Sequence, residues 1–453
     1  MINDIQKEIE AGNLKTAIYL AGSVKRSCGE NSEVSAKADS LAQIAVRIGM
    51  DFSVGEEQAM AEIENKIGSF SEEEKSVWEM KGWLEGRIID GKKMYFKRAV
   101  SNLLLLKQFY EQKEDWLRET AEDPEMIFRL KHIEEAFQKS DSQNKPVTPV
   151  NIGITYSITV DKDAIPDGEK IRCWLPWPKS NHPRQQKVEL LTTSSPEYII
   201  APDSAIHSTI YMEQLSKKHV PTVFRVSFRY QSNAQYFNIA ESDILPYDKT
   251  QDSYKKYTSE QLPQIIFTEN IKQLADSITG PDDSPAMIVR KIYYWFEENI
   301  PWTGALEYSI MPDIPEYVIQ NKRGDCGMKN FLFISMLRYK GIPVRWQSGF
   351  MVPPDDRDMH DWCEVYYEGA GWIPVDVDYG LQQSGITGIK EFYLSGIDSY
   401  RLILNDGVAG PLHPGKQYLR SEPFDFQRGE VEWKGGNLYF DKWEYDMKID
   451  YLK

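Results

Sequence analysis

The spacing of apolar residues changes along the chain and divides it into regions. Up to about residue 140, apolar side chains recur at helical spacing, for example at Ile63, Ile67 and Leu103. Glycines at positions 12, 29, 55 and 82 interrupt this pattern. We therefore predict an all-α domain of helical hairpins over residues 1–140.

A polar segment, Ser140–Pro149, separates this region from one with a different period. After it, apolar and polar residues alternate, as at Ile152, Ile154 and Tyr156, and a second alternating run begins at Thr222. Alternation with period two is typical of strands with one buried face. The pattern predicts a linker followed by an antiparallel β-sandwich domain over residues 148–240.

Helical signals return near Ser284 and Pro285, which fit the N-cap and the first residue of a helix. An apolar helix-forming stretch, Met328–Lys340, then precedes strand-like segments. Helices followed by an antiparallel sheet indicate an α+β core over residues 241–390. Further strand-like segments over residues 391–453 predict a C-terminal β extension that packs on this core, with closure on the β-sandwich domain as the alternative.

Composition narrows the class of protein. The 453 residues include 41% hydrophobic and 12% aromatic side chains, which is typical of a globular multidomain chain. A formal net charge of −16 disfavours nucleic acid and anionic membranes as partners. No apolar run reaches the ~20 residues of a membrane span, and the polar N-terminus is unlike a signal peptide. We expect a soluble chain, with export to the periplasm or cell surface and oligomeric state left open.

Cys326 is the first candidate for chemistry. It lies in a polar turn, Lys322–Gly327, directly before the apolar helix-forming stretch. A thiol in the first turn of a helix faces unpaired backbone N–H groups and the positive end of the helix dipole, which favour its thiolate. His360 and Asp376 follow in the chain. They supply a candidate base and a carboxylate to orient it.

The other cysteines are predicted to be structural. Cys28, Cys173 and Cys363 lack the polar turn of Cys326, and four cysteines are too few for a disulfide framework in a chain of this length. Cys363 lies three residues from His360 on a predicted strand and projects from the opposite face, which disfavours a shared zinc site. We therefore predict no metal and no cofactor at the site.

The register of the strands gives a test of the candidate pair. If the hairpin loop is centred on Glu368, His360 lies directly opposite Asp376, and the carboxylate can hold the imidazole. Asp378 is the competing carboxylate on the same strand face, and we expect it to be solvated or to support the site indirectly. The imidazole should then lie about 3–4 Å from the sulfur of Cys326.

Other residues are expected to border the cleft. Trp362 shares a strand face with His360 and could form a wall beside it, and Asp325 belongs to the turn that presents Cys326. The acidic run at positions 355, 356, 358 and 361 lacks the ordered ligand loop of a calcium site. We expect that run to be solvated beside the cleft.

Three blocks of sequence carry a resemblance to a known family. They are Arg323-Gly324-Asp325-Cys326, His360-x-Trp362-x-Glu364-Val365-Tyr366 and Gly371-Trp372-Ile373-Pro374-Val375-Asp376. Together they resemble the core of the transglutaminase-like superfamily, relatives of the papain-like cysteine peptidases, over roughly residues 262–382. The resemblance implies a Cys-His-Asp triad of Cys326, His360 and Asp376. It also implies that Trp302 donates to the oxyanion, with core packing as the alternative for this tryptophan.

These roles together indicate acyl transfer. A thiolate with a neighbouring base attacks an amide or ester carbonyl and forms an acyl-enzyme. We expect hydrolysis of a peptide-like amide, with a peptide or protein as substrate. The alternatives are transglutaminase-type transfer to an amine, which crosslinks proteins, and a non-enzymatic binding or scaffold module that retains the triad as a relic.

Cys326 should alkylate much faster than the other three cysteines near pH 7, because the helix start and an adjacent imidazole both favour its thiolate. Mass spectrometry after a short pulse of iodoacetamide measures the order of labelling. Equal or slower labelling at Cys326 would remove it as the nucleophile.

Overall fold

The structure, a computed structural model, describes residues 1–29, 32–114, 122–141, 143–180, 182–354 and 356–452. Ser142 of the predicted linker and Asp355 of the acidic run lie outside these ranges. The chain divides into two compact units. The first contains Met1–Leu117, Pro301–Asp313 and Gln320–Asp325, and the second contains Arg118–Ile300, Ile314–Ile319 and Cys326–Lys453.

Helices form most of the first unit: α1 (Ile2–Glu10), α2 (Leu14–Cys28), α3 (Glu33–Asp51), α4 (Glu56–Ile67), α5 (Glu72–Met80) and α6 (Ala99–Glu111). Their apolar faces meet in one core; α1, for example, buries Ile5 and Ile9, which lie four residues apart on one face. α5 begins at a capping box in which Ser71 and Glu74 bond each other's backbone N–H groups.

A small antiparallel sheet accompanies these helices, which the helical-hairpin prediction did not include. It comprises β1 (Val54–Gly55), β2 (Gly86–Ile89) and β3 (Lys92–Tyr95) in the order β1-β3-β2. The turn Asp90-Gly91 between β2 and β3 has positive φ at both residues, which is the conformation of a tight two-residue hairpin.

The predicted limits of the helical domain, residues 1–140, need correction at the C-terminal end. Helix α7 (Pro124–Lys139) belongs to the second unit. There its buried residues Ile133 and Ala136 share an apolar cluster with Phe392 and Tyr393. Sequence period identified the helix but could not reveal that its apolar face packs against residues more than 250 positions away.

The first unit also includes segments from the predicted catalytic region. The side chain of Asn102 bonds both the N–H and the C=O of Gly304, at 2.9 Å each. Asp51 accepts a hydrogen bond from the backbone N–H of Glu307 at 2.7 Å. Side chains of α3 and α6 thus provide hydrogen-bond partners for backbone groups of the segment Pro301–Asp313.

The remaining elements follow in chain order. The strands before residue 240 are β4 (Val147–Val160), β5 (Lys170–Pro176), β6 (Gln185–Thr193), β7 (Tyr198–Ile200), β8 (Thr209–Leu215) and β9 (Thr222–Tyr236). The later helices are α8 (Asp252–Tyr257), α9 (Glu269–Ile278), α10 (Pro285–Asn299), α11 (Ile314–Asn321), α12 (Cys326–Tyr339) and α13 (Thr387–Lys390). The later strands are β10 (Val344–Met351), β11 (Asp358–Tyr367), β12 (Gly371–Val375), β13 (Gly396–Ile397), β14 (Arg401–Asn405), β15 (Glu430–Trp433), β16 (Gly436–Leu438) and β17 (Trp443–Leu452).

Two antiparallel sheets of five strands share one apolar core in the second unit. One has the order β13-β9-β4-β17 with β6 paired to β9, and the other has the order β16-β15-β5-β8-β7. Tyr156 and Phe228 from the first sheet and Cys173 and Val431 from the second belong to the same buried cluster. Side chains alternate between inward and outward positions along β4 and β9, as their sequence period predicts.

The C-terminal strands complete these two sheets, which is the second of the two arrangements considered for residues 391–453. β17 pairs with β4 from Trp443 opposite Val160 to Leu452 opposite Asn151, and β15 pairs with β5. Only β14 joins the sheet of the catalytic region. Alternation in a sequence identifies a strand but does not specify its partner.

A four-stranded antiparallel sheet of order β12-β11-β10-β14 carries helix α12 against β11 and β10. Every residue of α12 from Cys326 to Arg338 is buried, and its buried cations Lys329 and Arg338 bond Asp378 and the C=O of Val344. The helix is followed by Gly341, with φ of +78°, and then by Pro343, which prevent its continuation. Among the described residues, no helix is both long and apolar enough to cross a membrane.

Candidate active site

Cys326 is the first residue of α12, as predicted for the nucleophile. The residue is buried, with only 8% of its surface exposed. Its Sγ donates a hydrogen bond to Oδ2 of Asp361 at 3.2 Å. The sequence did not indicate this contact between the thiol and a carboxylate.

His360 and Asp376 are in direct contact. Nε2 of His360 lies 2.7 Å from Oδ2 of Asp376, and both residues are buried. The other oxygen, Oδ1, accepts hydrogen bonds from the backbone N–H groups of Asp378 and Tyr379. Nη2 of Arg401 lies 2.9 Å from Oδ2. All of these contacts stabilise the carboxylate and fix its orientation.

These contacts determine which nitrogen of His360 is basic. Burial alone would raise the pKa of Asp376, but the interactions with His360 and Arg401 and the backbone hydrogen bonds outweigh burial and hold it well below its usual range. An ionised carboxylate only accepts hydrogen bonds, so Nε2 of His360 carries the hydrogen. Nδ1 therefore remains as the nitrogen that can take a proton.

The contact forms even though the predicted strand register is wrong. Cys363 pairs with Val375 and Tyr367 pairs with Gly371, which centres the hairpin on Gly369 rather than on Glu368. Gly369 has φ of +89°, which glycine adopts at low cost. The positive φ identifies Gly369 as the turn position.

In the observed register, extension of the strands would set His360 opposite Asp378. Pairing ends at Val375, however, and the N–H of Asp376 bonds the C=O of Tyr393 outside the sheet. The carboxylate of Asp376 therefore reaches the imidazole diagonally, an arrangement that long side chains of neighbouring strands can make.

The sulfur, the imidazole and a third group lie close together. One donor atom from each of Cys326, His360 and Asp378 lies within 4.8 Å of the others. Asp378, for which we considered a solvated position, is partly buried and accepts from Nζ of Lys329 at 2.8 Å. Lys329 lies three residues after the cysteine on α12, so both side chains lie on one face of the helix.

Asp361 belongs to a buried pair of acids rather than to a solvated run. Its Oδ1 accepts from Nε2 of Gln427 at 3.1 Å, and its side chain hydrogen-bonds Asp425. Oδ1 of Asp425 accepts from Ser348 and Asn405, whereas no donor among the described residues reaches its Oδ2. Burial raises the pKa of Asp425. Since adjacent buried carboxylates do not both ionise, one proton is shared between Asp361 and Asp425.

A close approach of strands β10 and β14 positions the side chains that donate to Asp425. A Cβ atom on Gly349 would lie 1.8 Å from the backbone oxygen of Leu402, so only glycine fits where β10 meets β14. The register shifts between Ser348 and Gly349, which sets Ser348 opposite Asn405. Both side chains can then donate to the same oxygen of Asp425.

Two aromatic rings pack against the imidazole of His360. The ring of Trp362 lies 6.0 Å from that of His360 at an interplanar angle of 27°, and the ring of Tyr379 lies 4.7 Å away. Trp362 is fully buried and donates to Gln347 at 2.6 Å. Trp362 therefore packs against the histidine ring. The sequence had suggested that this tryptophan forms an open wall of the cleft, and its burial contradicts that expectation.

Trp302 and Asp325 belong to the first unit. Trp302 is 43% exposed, which argues against the core-packing alternative, and its backbone forms a parallel bridge with Gly324. Asp325 accepts from the hydroxyl of Tyr308 at 2.6 Å. Arg323 is fully buried and donates to Glu85 at 2.8 Å. The role of Trp302 as an oxyanion donor stays a prediction.

Residues 272–377 match the family model described as the transglutaminase-like superfamily. The uncharacterized protein YebA of Bacillus subtilis is 23% identical over 140 residues, which span 27% of this chain and 19% of YebA. A structure from Cytophaga hutchinsonii, provisionally named a cysteine protease, has a TM-score of 0.43 and 13% identity and covers 68% of this chain and 92% of its own. The periplasmic domain of TgpA from Pseudomonas aeruginosa has a TM-score of 0.26 and 17% identity and covers 50% of this chain and 88% of its own.

Asp361→Asn should make the thiol of Cys326 easier to ionise, because it removes the carboxylate oxygen, 3.2 Å from the sulfur, that accepts the thiol hydrogen. The pH at which Cys326 reaches half of its maximal alkylation rate should fall by roughly one unit or more. Stopped-time labelling with iodoacetamide from pH 5 to 10 measures this midpoint. Asp358→Asn, an exposed acid on the same strand, is the matched control, and an equal midpoint in both variants would contradict the assignment.

Proposed function

From the transglutaminase-like domain that residues 272–377 form, we propose that this protein is a cysteine-dependent enzyme that hydrolyses a peptide-like amide. Cys326 is the proposed nucleophile, His360 the general acid and base, and Asp376 the residue that orients the histidine. The observation that supports these roles most directly is the buried 2.7 Å contact of His360 with Asp376 next to a cysteine at a helix start.

The proposed reaction begins with a transfer of the thiol proton from Cys326 to Nδ1 of His360. The thiolate attacks the carbonyl carbon, a C–S bond forms, and negative charge develops on the carbonyl oxygen. The positive end of the α12 helix dipole lies at Cys326 and favours this charge. His360 then protonates the leaving nitrogen, and the C–N bond breaks.

Hydrolysis of the acyl-enzyme completes the cycle. His360 takes a proton from water, the resulting hydroxide adds to the thioester carbon, the C–S bond breaks to release the carboxylic acid, and the proton on His360 returns to the sulfur. Asp376 stays ionised through these steps because its pKa is held low. It stabilises the imidazolium that forms twice in each cycle and keeps the hydrogen of the neutral ring on Nε2.

Asp361 supports an additional feature of the proposed mechanism. The resting thiol donates to this carboxylate at 3.2 Å, so its hydrogen must turn from Asp361 towards Nδ1 of His360 before attack. Cys326 must therefore exchange its contact with Asp361 for one with His360 before it can act as the nucleophile.

Transfer to an amine is the second candidate, and the family match supports it. The two reactions share the acyl-enzyme and differ only in whether water or an amine attacks the thioester. A non-enzymatic scaffold role is less consistent with the site, because a buried ion pair and a buried acid pair around one cysteine are costly to maintain without a use.

The test is an assay of the purified protein with a library of fluorogenic peptide amides, with and without a labelled primary amine. We expect release of free carboxylic acid that Cys326→Ala abolishes. Asp376→Asn should reduce turnover by up to about 10⁴-fold, because the histidine then adopts the wrong tautomer. Cys28→Ala, at a cysteine outside the site, is the matched control.

Turnover that survives in Cys326→Ala would refute the cysteine-dependent mechanism. Amine incorporation in place of acid release would support crosslinking over hydrolysis. Circular dichroism of each variant separates loss of catalysis from loss of fold.

A further inference from the structure

The proposed catalytic pair shares its surroundings with a third potential metal ligand. Cys326, His360 and Asp378 each offer one donor atom, and the three atoms lie within 4.8 Å of one another. The sequence suggested Cys363 as the additional ligand of any zinc site and disfavoured that site on strand geometry. Asp378 reaches the position instead because the chain turns out of the sheet after Val375.

We propose that Cys326, His360 and Asp378 form a reversible binding site for Zn²⁺ that shields the cysteine from reaction. The regulatory consequence, zinc inhibition, rests on the proposed function of the same site. The binding of the metal does not, because it depends only on the three donor groups and their spacing.

The chemistry of the three donors matches zinc. Thiolate, imidazole and carboxylate are its usual protein ligands, and three of them leave a fourth tetrahedral position for water. At Zn–ligand distances of about 2.0–2.3 Å, tetrahedral ligand atoms lie about 3.4–3.6 Å apart. Donor atoms that lie within 4.8 Å of one another need to close by about 1.4 Å at most, which side-chain rotation can supply.

The histidine already has the arrangement of a metal ligand. Its Nε2 is bound to the buried carboxylate of Asp376 at 2.7 Å, so Nδ1 is the nitrogen available to zinc. Metal-bound histidines usually donate their other ring N–H to a carboxylate or carbonyl, which fixes the ring and raises its basicity. The same contact that prepares His360 as a base therefore prepares it as a ligand.

Metal binding competes with two existing contacts. Zinc replaces the thiol hydrogen of Cys326, which leaves as a proton to solvent while the Zn–S bond forms, and the hydrogen bond to Asp361 is lost. Oδ1 of Asp378 also lies 2.8 Å from the ammonium group of Lys329, whose positive charge competes with the metal for this carboxylate. The competition by Lys329 favours moderate and reversible affinity over a permanent structural site.

The experiment measures the alkylation rate of Cys326 by mass spectrometry at increasing concentrations of zinc chloride. Zinc binding is measured in parallel by competition with a chromophoric chelator. For the wild type we expect saturating zinc to slow alkylation at least 10-fold, with full recovery after addition of EDTA, and one bound zinc that Cys326→Ala abolishes. No protection of Cys326 at saturating zinc would overturn the inference.

Variants of Asp378 and Lys329 should change the affinity in opposite directions. Asp378→Asn should raise the zinc concentration for half-protection at least about 10-fold. Loss of a group that only hydrogen-bonds a metal ligand already lowers metal affinity by about 10–100-fold. Lys329→Met removes the competing cation and should lower that concentration. Asp358→Asn is the control for loss of a nearby acid and should leave it unchanged. Equal protection in Asp378→Asn and the wild type would overturn the proposed ligand set.

These measurements need no turnover, so they separate the two proposals. Zinc protection without hydrolysis would contradict the proposed function and support the metal site. Hydrolysis that zinc does not inhibit, together with unprotected alkylation, would overturn the metal site and leave the proposed function standing.

Discussion

The buried carboxylate of Asp376 is the constraint on which the rest of the site depends. It has no access to water, and it remains charged because His360, Arg401 and two backbone N–H groups surround it. Arg401 in turn also binds Asp398 with two nitrogens. Removal of one partner from such a buried charge group typically costs about 3–5 kcal/mol. The position of the imidazole, its tautomer and the turn after β12 all follow from the need to satisfy this one charge.

A second network of buried polar side chains contacts the His360 ring through Trp362. Trp362 packs against the His360 ring and donates to Gln347, which also accepts from Arg184. Burial would raise the pKa of Glu364, but Arg345, His182 and Arg184 outweigh it and lower the pKa well below its usual range. Arg184 immediately precedes β6 of the larger sheets, so the catalytic sheet and those sheets share charged as well as apolar contacts.

The apolar core also joins the four-stranded sheet of the site to the two five-stranded sheets. Phe350, Val352, Leu402 and Leu404 of the catalytic sheet lie in the same buried cluster as residues of β4, β5 and β9. The predicted boundaries near residues 240 and 390 therefore do not coincide with breaks in the core. Because β15 and β17 return to β5 and β4, the fold of the region before the nucleophile depends on strands that follow the site in the chain.

The sequence by itself determined the local elements and the chemical candidates. Helical and alternating periods, the stop at Gly341 and the polar turn before Cys326 are all encoded within a few residues, so they can be recognised without a fold. It also indicated that His360 and Asp376 belong together, although by a register that is wrong. Tertiary structure alone decided the partners of each group: Asp361 and Asp425 beside the thiol, Arg401 on Asp376, and Asp378 within reach of the sulfur. These contacts join strands, turns and loops that are distant in the chain. The need to pair buried charges therefore leaves no local pattern in a sequence, whereas the periodicity of a helix or strand does.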